Sequence, residues 1–345
     1  MSYQYERVTT PASGLRLHLN ENTAGCSAAV LKAIRAMSRL DMATYPDYDS
    51  AVAATAARLG VEPAGLVLTN GLDEGILAAA IVALRGGSSE QPLEAVVVVP
   101  AFDMYASCTD AVGGAVVEVP VGPGFEFPLE GVLAAVTPGT RLIWLTNPNN
   151  PTGQSIPREA IARIARAAAT ALIFVDEAYV DFGGTTLIGD PLLQERPNIV
   201  VGRTFAKAYG LAGLRAGAVV GDLNTVAAVR RVVPPYSLNA CAAVALPAAF
   251  SDTAYYQWYV EQVAKSKMVL YDYLERGRIM HWKSDANFVL ARFPRRSAEV
   301  AAALAGRGVY VRDRSRDHGC SDCLRITAGV VEHTGAAIAA LEEIL

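Results

Sequence analysis

The feature that most constrains this chain is an alternation. Short runs of β-branched and other apolar residues are separated by alanine-rich segments whose apolar positions recur with helical period. The runs predict strands at 66–69, 95–99, 116–119, 141–146, 171–176, 198–203 and 216–220, with helices over 73–84, 102–112, 129–135, 157–169 and 222–231 between them. Several runs are apolar on successive residues rather than on every second one, which suits strands covered by helices on both faces. The expectation is an α/β protein with a mostly parallel, seven-stranded sheet whose ligand crevice opens at the strand C-termini.

The pattern changes after Pro234 and Pro235. A long helical stretch over 253–276 leads to spaced strands at 287–292, 309–312 and 324–327, and a helix over 331–345 closes the chain. A smaller C-terminal α/β domain is therefore expected at 246–345, beside a large domain at 26–245. Residues 1–25 are too few for a domain. They are also too apolar at Leu15, Leu17 and Leu19 for a free tail, so they should pack as an arm with the small domain.

With 345 residues, 52% of them hydrophobic, the chain can bury a large core. A formal net charge of −4 and no dense Lys/Arg run give no field for a nucleic-acid backbone. The start MSYQYERVTT lacks the basic, apolar pattern of a signal peptide, and no apolar run approaches membrane-spanning length, so a cytoplasmic protein is expected with no membrane partner. The five cysteines, at 26, 108, 241, 320 and 323, are an odd number in a large chain and speak for a reducing compartment. Cys320 and Cys323 form a CxxC with only His318 nearby. Two reduced thiols are expected there, and no metal.

The chemistry-bearing residues fall at strand ends. Lys207 sits among small residues in RTFAKAYGLAGLRAG, eight residues before Arg215. A lysine can simply be solvated, but this setting can also desolvate the amine, lower its pKa and make it a Schiff-base nucleophile. Asp176, Glu177 and Tyr179 end an apolar strand. An aspartate there serves either as a helix cap or as a carboxylate held against a pyridinium nitrogen. In Asn147-Pro148-Asn149-Asn150-Pro151-Thr152-Gly153 the asparagines suit a turn, while the prolines and glycine hold one amide, best Asn150, in register with a phenolate oxygen. Thr69-Asn70-Gly71-Leu72-Asp73 passes from strand to helix. Gly71 permits close backbone approach, and the free N–H groups beyond it suit a phosphate, although an aspartate at such a position commonly just caps the helix.

Taken in order, these segments resemble fold-type I pyridoxal-phosphate enzymes of the class I/II aminotransferase family, and within it the histidinol-phosphate aminotransferases. The resemblance runs through LHLNEN (17–22), TYPDY (44–48), TNGLDEGI (69–76), PAFDMY (100–105), NPNNPTG (147–153), DEAYVDF (176–182), TFAKAYGLAGLRAG (204–217) and CLRITAG (323–329), and so covers nearly the whole chain. It implies pyridoxal 5'-phosphate as cofactor, with Lys207 as Schiff-base lysine and acid–base for proton transfer at substrate Cα. It also implies that Asp176 holds the pyridinium, that Asn150 and Tyr179 bind the 3′ oxygen, and that Phe102 stacks on the ring. The cofactor phosphate would lie on Gly71, Leu72 and Asp73, helped by Thr204 and Arg215.

Tyr45 matches a residue that reaches the phosphate from a neighbouring subunit, which implies a homodimer with shared active sites. Arg325 would clamp the substrate α-carboxylate, and Asn22 would also contact substrate. Arg312 matches a phosphate-side arginine of the histidinol-phosphate enzymes. Two departures stand out. Ala206 replaces a common phosphate-binding serine, and the arm lacks the tyrosine-containing Pro/Gly segment that encloses the substrate phosphate. The resemblance implies a ping-pong amino transfer between an amino donor and a 2-oxo acid. Donation by an aromatic or specialised amino acid, or decarboxylation of a threonine-phosphate type, stays open from the sequence.

Overall fold

A computed structural model describes residues 11–345 apart from Ser89 and Arg295. The first ten residues of the expected arm, MSYQYERVTT, lie outside the described residues. The chain opens with β1 (Leu15–Leu17) and then builds β2 (Leu66–Asn70), β3 (Glu94–Val99), β4 (Ala115–Pro120), β5 (Thr140–Thr146), β6 (Leu172–Asp176), β7 (Ile199–Thr204) and β8 (Ala216–Gly221). These last seven form one sheet in the order β2-β8-β7-β6-β5-β3-β4. Only β8 runs antiparallel to its neighbours, so the sheet is mostly parallel, as the apolar runs predict. The central strands are deeply buried: Ile173, Phe174 and Val175 of β6 and Ile199, Val200 and Val201 of β7 are fully enclosed. Helices on both faces supply that cover, and a continuous apolar run is the sequence signature of it.

Four further strands follow, β9 (Met280–His281), β10 (Phe288–Arg292), β11 (Val309–Asp313) and β12 (Cys323–Thr327). With β1 they form a five-stranded sheet in the order β1-β11-β12-β10-β9. Leu17 of β1 is fully buried in the core of this smaller sheet, with Leu270, Leu274, Val289, Leu324 and Ile326. The helix Thr253–Arg276 has the span expected of it, and Val331–Glu342 also covers the small sheet.

The helices Ala28–Arg35, Asp49–Leu59 and Ala240–Ser251 were not expected from the sequence. They pack on one another. Ala240–Ser251 carries Pro247 internally, which reads as a break until tertiary packing and the Asn239 cap hold the helix together. Among the described residues no helix is long and apolar enough to cross a membrane. No cluster of metal-ligating side chains forms among them, and Cys320 and Cys323 are buried free thiols.

Two glycines bring the large sheet to its crevice. Gly71 has φ +74°, and a Cβ there would stand 2.5 Å from Arg215 Nη2. A Cβ on Gly217 would stand 2.6 Å from the backbone nitrogen of Leu72, so β8 passes directly beneath the first turn of the helix Leu72–Leu84.

Candidate active site

The C-terminal ends of β5, β6 and β7 lie side by side, with Thr146 paired to Asp176 and Asp176 to Gly202. Together with the start of the helix Leu72–Leu84 and the face of the small sheet, they enclose a cavity of about 620 Å³. Leu72, Asp73, Phe102, Asn150, Asp176, Tyr179, Thr204, Lys207, Arg215, Arg312 and Arg325 all line it. The sequence motifs that carry them are far apart in the chain and converge where the strand ends of the large sheet meet the face of the small sheet, which brings Arg312 and Arg325.

Lys207 follows β7 and donates from Nζ to the Leu19 carbonyl at 2.9 Å. Burial, aided by the nearby charge of Arg325, lowers its pKa to about 8. An amine so placed is deprotonated far more often than a surface lysine, as a nucleophile and proton carrier requires.

Asp176 is 4% exposed, and burial raises its pKa to about 6. Its two oxygens accept from Tyr105 Oη at 2.7 Å and from the Ala178 N–H at 2.9 Å. Tyr105 is held in turn by Thr146, whose hydroxyl donates to it at 2.9 Å. No guanidinium or ammonium pairs with Asp176 among the described residues, which leaves a buried carboxylate suited to a cationic ligand nitrogen.

Asn150 and Tyr179 meet. Asn150 Nδ2 donates to Tyr179 Oη at 3.5 Å, and Asn150 Oδ1 accepts from Arg325 Nη1. The Arg325 donation fixes which end of the amide faces the tyrosine. Arg325 also donates from Nη2 to the His18 carbonyl at 2.6 Å, while its Nε is buried without a partner. Arg312 stands opposite Arg325 across the β11–β12 pair. At the other end, Arg215 Nη2 donates to Asp73 Oδ2 at 2.8 Å, holding a cation beside the free N–H groups of the first helical turn.

One expected site residue falls elsewhere. Asn22 does not line the cavity. Its Nδ2 donates to the Ala208 carbonyl at 3.1 Å, tying it to the residue after Lys207, and its Oδ1 accepts from the Ala24 N–H at 2.9 Å within its own turn. Asn20 takes the cavity position, donating to Tyr179 Oη at 3.1 Å. Tyr45 is 77% exposed and stacks on Tyr236 at 4.3 Å, outside the cavity of its own chain. Ala206 lines the cavity and brings no hydroxyl.

Tyr105, Thr146, Arg16, Glu21 and Arg314, to which no motif gives a role, also line the cavity. Tyr105 lies within the PAFDMY motif. Arg314 follows Arg312 at strand spacing, which was a readable signal.

The donor set fits pyridoxal phosphate. One end offers helix N–H groups, Thr204 and Arg215 to a phosphate. The middle offers an unpaired buried carboxylate, and Lys207 stands beside it. The far end offers arginines to a substrate.

The family model of "Aminotransferase class I and II" matches residues 12–341. Histidinol-phosphate aminotransferase 2 of Ralstonia nicotianae is 36% identical over 341 residues, covering 96% of this chain and 88% of the relative. The histidinol-phosphate aminotransferase of Limosilactobacillus fermentum is 36% identical over 331 residues, with 92% and 88% covered. Among solved structures, the histidinol-phosphate aminotransferase of Sinorhizobium meliloti in complex with pyridoxal-5'-phosphate superposes with TM-score 0.84 at 26% identity, covering 96% of this chain and 90% of that one. L-threonine-O-3-phosphate decarboxylase of Porphyromonas gingivalis shares the fold at TM-score 0.80 and 22% identity, with 96% and 99% covered.

Proposed function

The chain belongs to the class I and II aminotransferases, and from that premise we propose that it moves the amino group of histidinol phosphate to a 2-oxo acid. It is a pyridoxal-phosphate enzyme that works by a ping-pong cycle between an amino donor and a 2-oxo acid. The donor is the proposed part. The observation that carries it is Arg312, a cavity-lining guanidinium set opposite Arg325, beside relatives that act on histidinol phosphate.

Pyridoxal phosphate, when bound, supplies an aldehyde for the amino group and a ring that accepts the electrons of the broken Cα–H bond. Lys207 Nζ would be the amine that anchors the cofactor, and once released it would carry the proton to and from substrate Cα. Asp176 keeps a proton on the ring nitrogen, and Tyr105 and the Ala178 N–H keep Asp176 aimed. Asn150 and Tyr179 would bind the cofactor's 3′ oxygen, and Phe102, which also lines the cavity, would pack against its ring. Gly71, Leu72, Asp73, Thr204 and Arg215 hold the cofactor phosphate. Arg325 would clamp the α-carboxylate of the 2-oxo acid.

This reading places Tyr45 at the phosphate of a partner subunit in a homodimer, in keeping with its exposure in the single chain. It divides the chain into an arm at 1–25, a cofactor-binding domain at 26–245 and a small domain at 246–345. It also places the enzyme in the cytoplasm. Support for the division comes from the two separate sheets.

The test is a donor screen with the holoenzyme, comparing histidinol phosphate, phenylalanine and threonine phosphate with 2-oxoglutarate as acceptor. The expected result is glutamate formation fastest with histidinol phosphate and no carbon dioxide from any donor. Preference for phenylalanine would overturn the proposed donor. Carbon dioxide from threonine phosphate would mark it as a decarboxylase substrate.

A further inference from the structure

Arg314 lies just past β11, two residues beyond Arg312, and lines the cavity although only 7% of it is exposed. Its backbone N–H donates to the Cys323 carbonyl at 2.9 Å, so pairing with β12 continues one residue past the strand. That continuation keeps Arg314 on the same face as Arg312. Its guanidinium is ion-paired with Asp317 of the following turn, whose N–H donates back to the Arg314 carbonyl at 2.9 Å. Nη2 stands 3.5 Å from the Ala101 carbonyl, next to Phe102, and Nε is buried with no hydrogen-bond partner.

A guanidinium presents five N–H groups and is costly to bury with donors unmet. Its charge partners bear on the same point. At this end of the cavity Arg16 is answered by Glu21 and Arg314 by Asp317, whereas Arg312 and Arg325 have no carboxylate ion-pair partner among the described residues. Arg325 already donates to Asn150 and to His18. A phosphate monoester has three non-ester oxygens and up to two charges, more than Arg312 alone can satisfy.

We propose that Arg314 is a specificity-determining residue of the donor end, joining Arg312 in clasping the donor's phosphate, with Asp317 as the carboxylate that the phosphate must displace. The inference rests on the reading that the donor carries phosphate. Asp317 makes the clasp selective, because a singly charged group competes poorly with a carboxylate already paired to Arg314, while a dianion competes well.

The holoenzyme and its Arg314→Ala, Arg314→Lys, Asp317→Asn and Arg312→Ala variants are assayed with histidinol phosphate and with histidinol, and inhibition by inorganic phosphate is titrated alongside. Arg314→Ala should lower the ratio of kcat/KM for histidinol phosphate over histidinol by about 10- to 100-fold, mostly through KM, and weaken phosphate inhibition similarly. Arg314→Lys should recover only part of that ratio, since a point charge cannot face Asp317 and phosphate together. Asp317→Asn should keep or raise phosphate binding. If Asp317→Asn loses as much as Arg314→Ala, the pair is a structural clasp of the turn and the proposal fails. If Arg312→Ala collapses the ratio while Arg314→Ala leaves it intact, the proposal fails and the phosphate reading stands. A wild-type enzyme without preference for histidinol phosphate would overturn both.

Discussion

Asp176 and Glu177 are adjacent carboxylates at the end of one strand, and their surroundings are opposite. Glu177 is fully buried on the side away from the cavity. It accepts from Thr186 Oγ1 at 2.6 Å and from Leu187 N–H at 2.7 Å, with Arg203 Nη1 3.6 Å away. Arg203 also pairs with Asp181 at 2.9 Å, and Tyr256 donates to that carboxylate at 2.8 Å. Asp176 faces the cavity with two neutral donors and no ion-pair partner. Strand alternation sends neighbours to opposite faces, so one acid completes a closed ionic network and the other is left waiting for a ligand. The same split divides Arg203 in the network from Thr204 in the cavity. For these two neighbours, closure into an ionic network marks the structural carboxylate, and a face on the cavity with no charge partner marks the functional one.

The largest effect that sharpens this contrast is expected at Lys207, on the cavity side. Lys207→Ala should cut amino transfer by about 10⁴-fold, the upper end of what a positioned proton-transfer group supplies, while the circular dichroism spectrum stays that of the wild type. Borohydride treatment followed by peptide mass spectrometry should find no cofactor-modified lysine. Modification of a different lysine in that variant would displace Lys207 from its role.

Next come the two neighbours themselves. Glu177→Ala removes the acceptor of Thr186 and of the Leu187 N–H and one of the two carboxylates facing Arg203, Asp181 remaining at 2.9 Å, and should cost about 1–3 kcal/mol of stability, read as a fall in the denaturant midpoint. Asp176→Asn should do the reverse in the cofactor-free protein. Its folded pKa of about 6 lies above the ordinary 3.8, so the ionised form is disfavoured by the fold. That penalty, about 3 kcal/mol, is fully present above pH 6 and vanishes as pH falls below 3.8. Asp176→Asn should therefore hold or raise stability at pH 7.5, with the gain fading toward pH 4, yet lose about 10²- to 10³-fold in kcat. A variant destabilised at pH 7.5 with near-normal kcat would make Asp176 a turn cap and erase the contrast.

The smallest expected effect lies across the cavity. Arg325→Lys replaces a planar fork engaged with Asn150 and His18 by a point charge, and should raise KM for the 2-oxo acid by about 10-fold or more, with a smaller change in kcat. Equal loss in kcat and an unchanged KM would move Arg325 from substrate binding to support of Asn150.

Strand ends were legible because a buried parallel strand must be apolar throughout and must stop where polar chemistry begins. That is why Asp176, Asn150 and Lys207 are legible in the sequence, whereas Thr204 enters only through the resemblance. Local pattern also determined the seven-stranded sheet to within about one or two residues at each strand end, since covered strands and amphipathic helices have different periods. Helix Ala240–Ser251 escaped because proline and alanine say little alone, and its existence depends on partners distant in sequence. Asn20 rather than Asn22 faces Tyr179 because Asn20 turns at φ +56°, a choice made by the docking of β1 on β11. The sequence by itself determined which residue types end which strands. Only the tertiary structure decided which side of the sheet each polar group meets, because that depends on burial and on hydrogen-bond partners brought in from far along the chain.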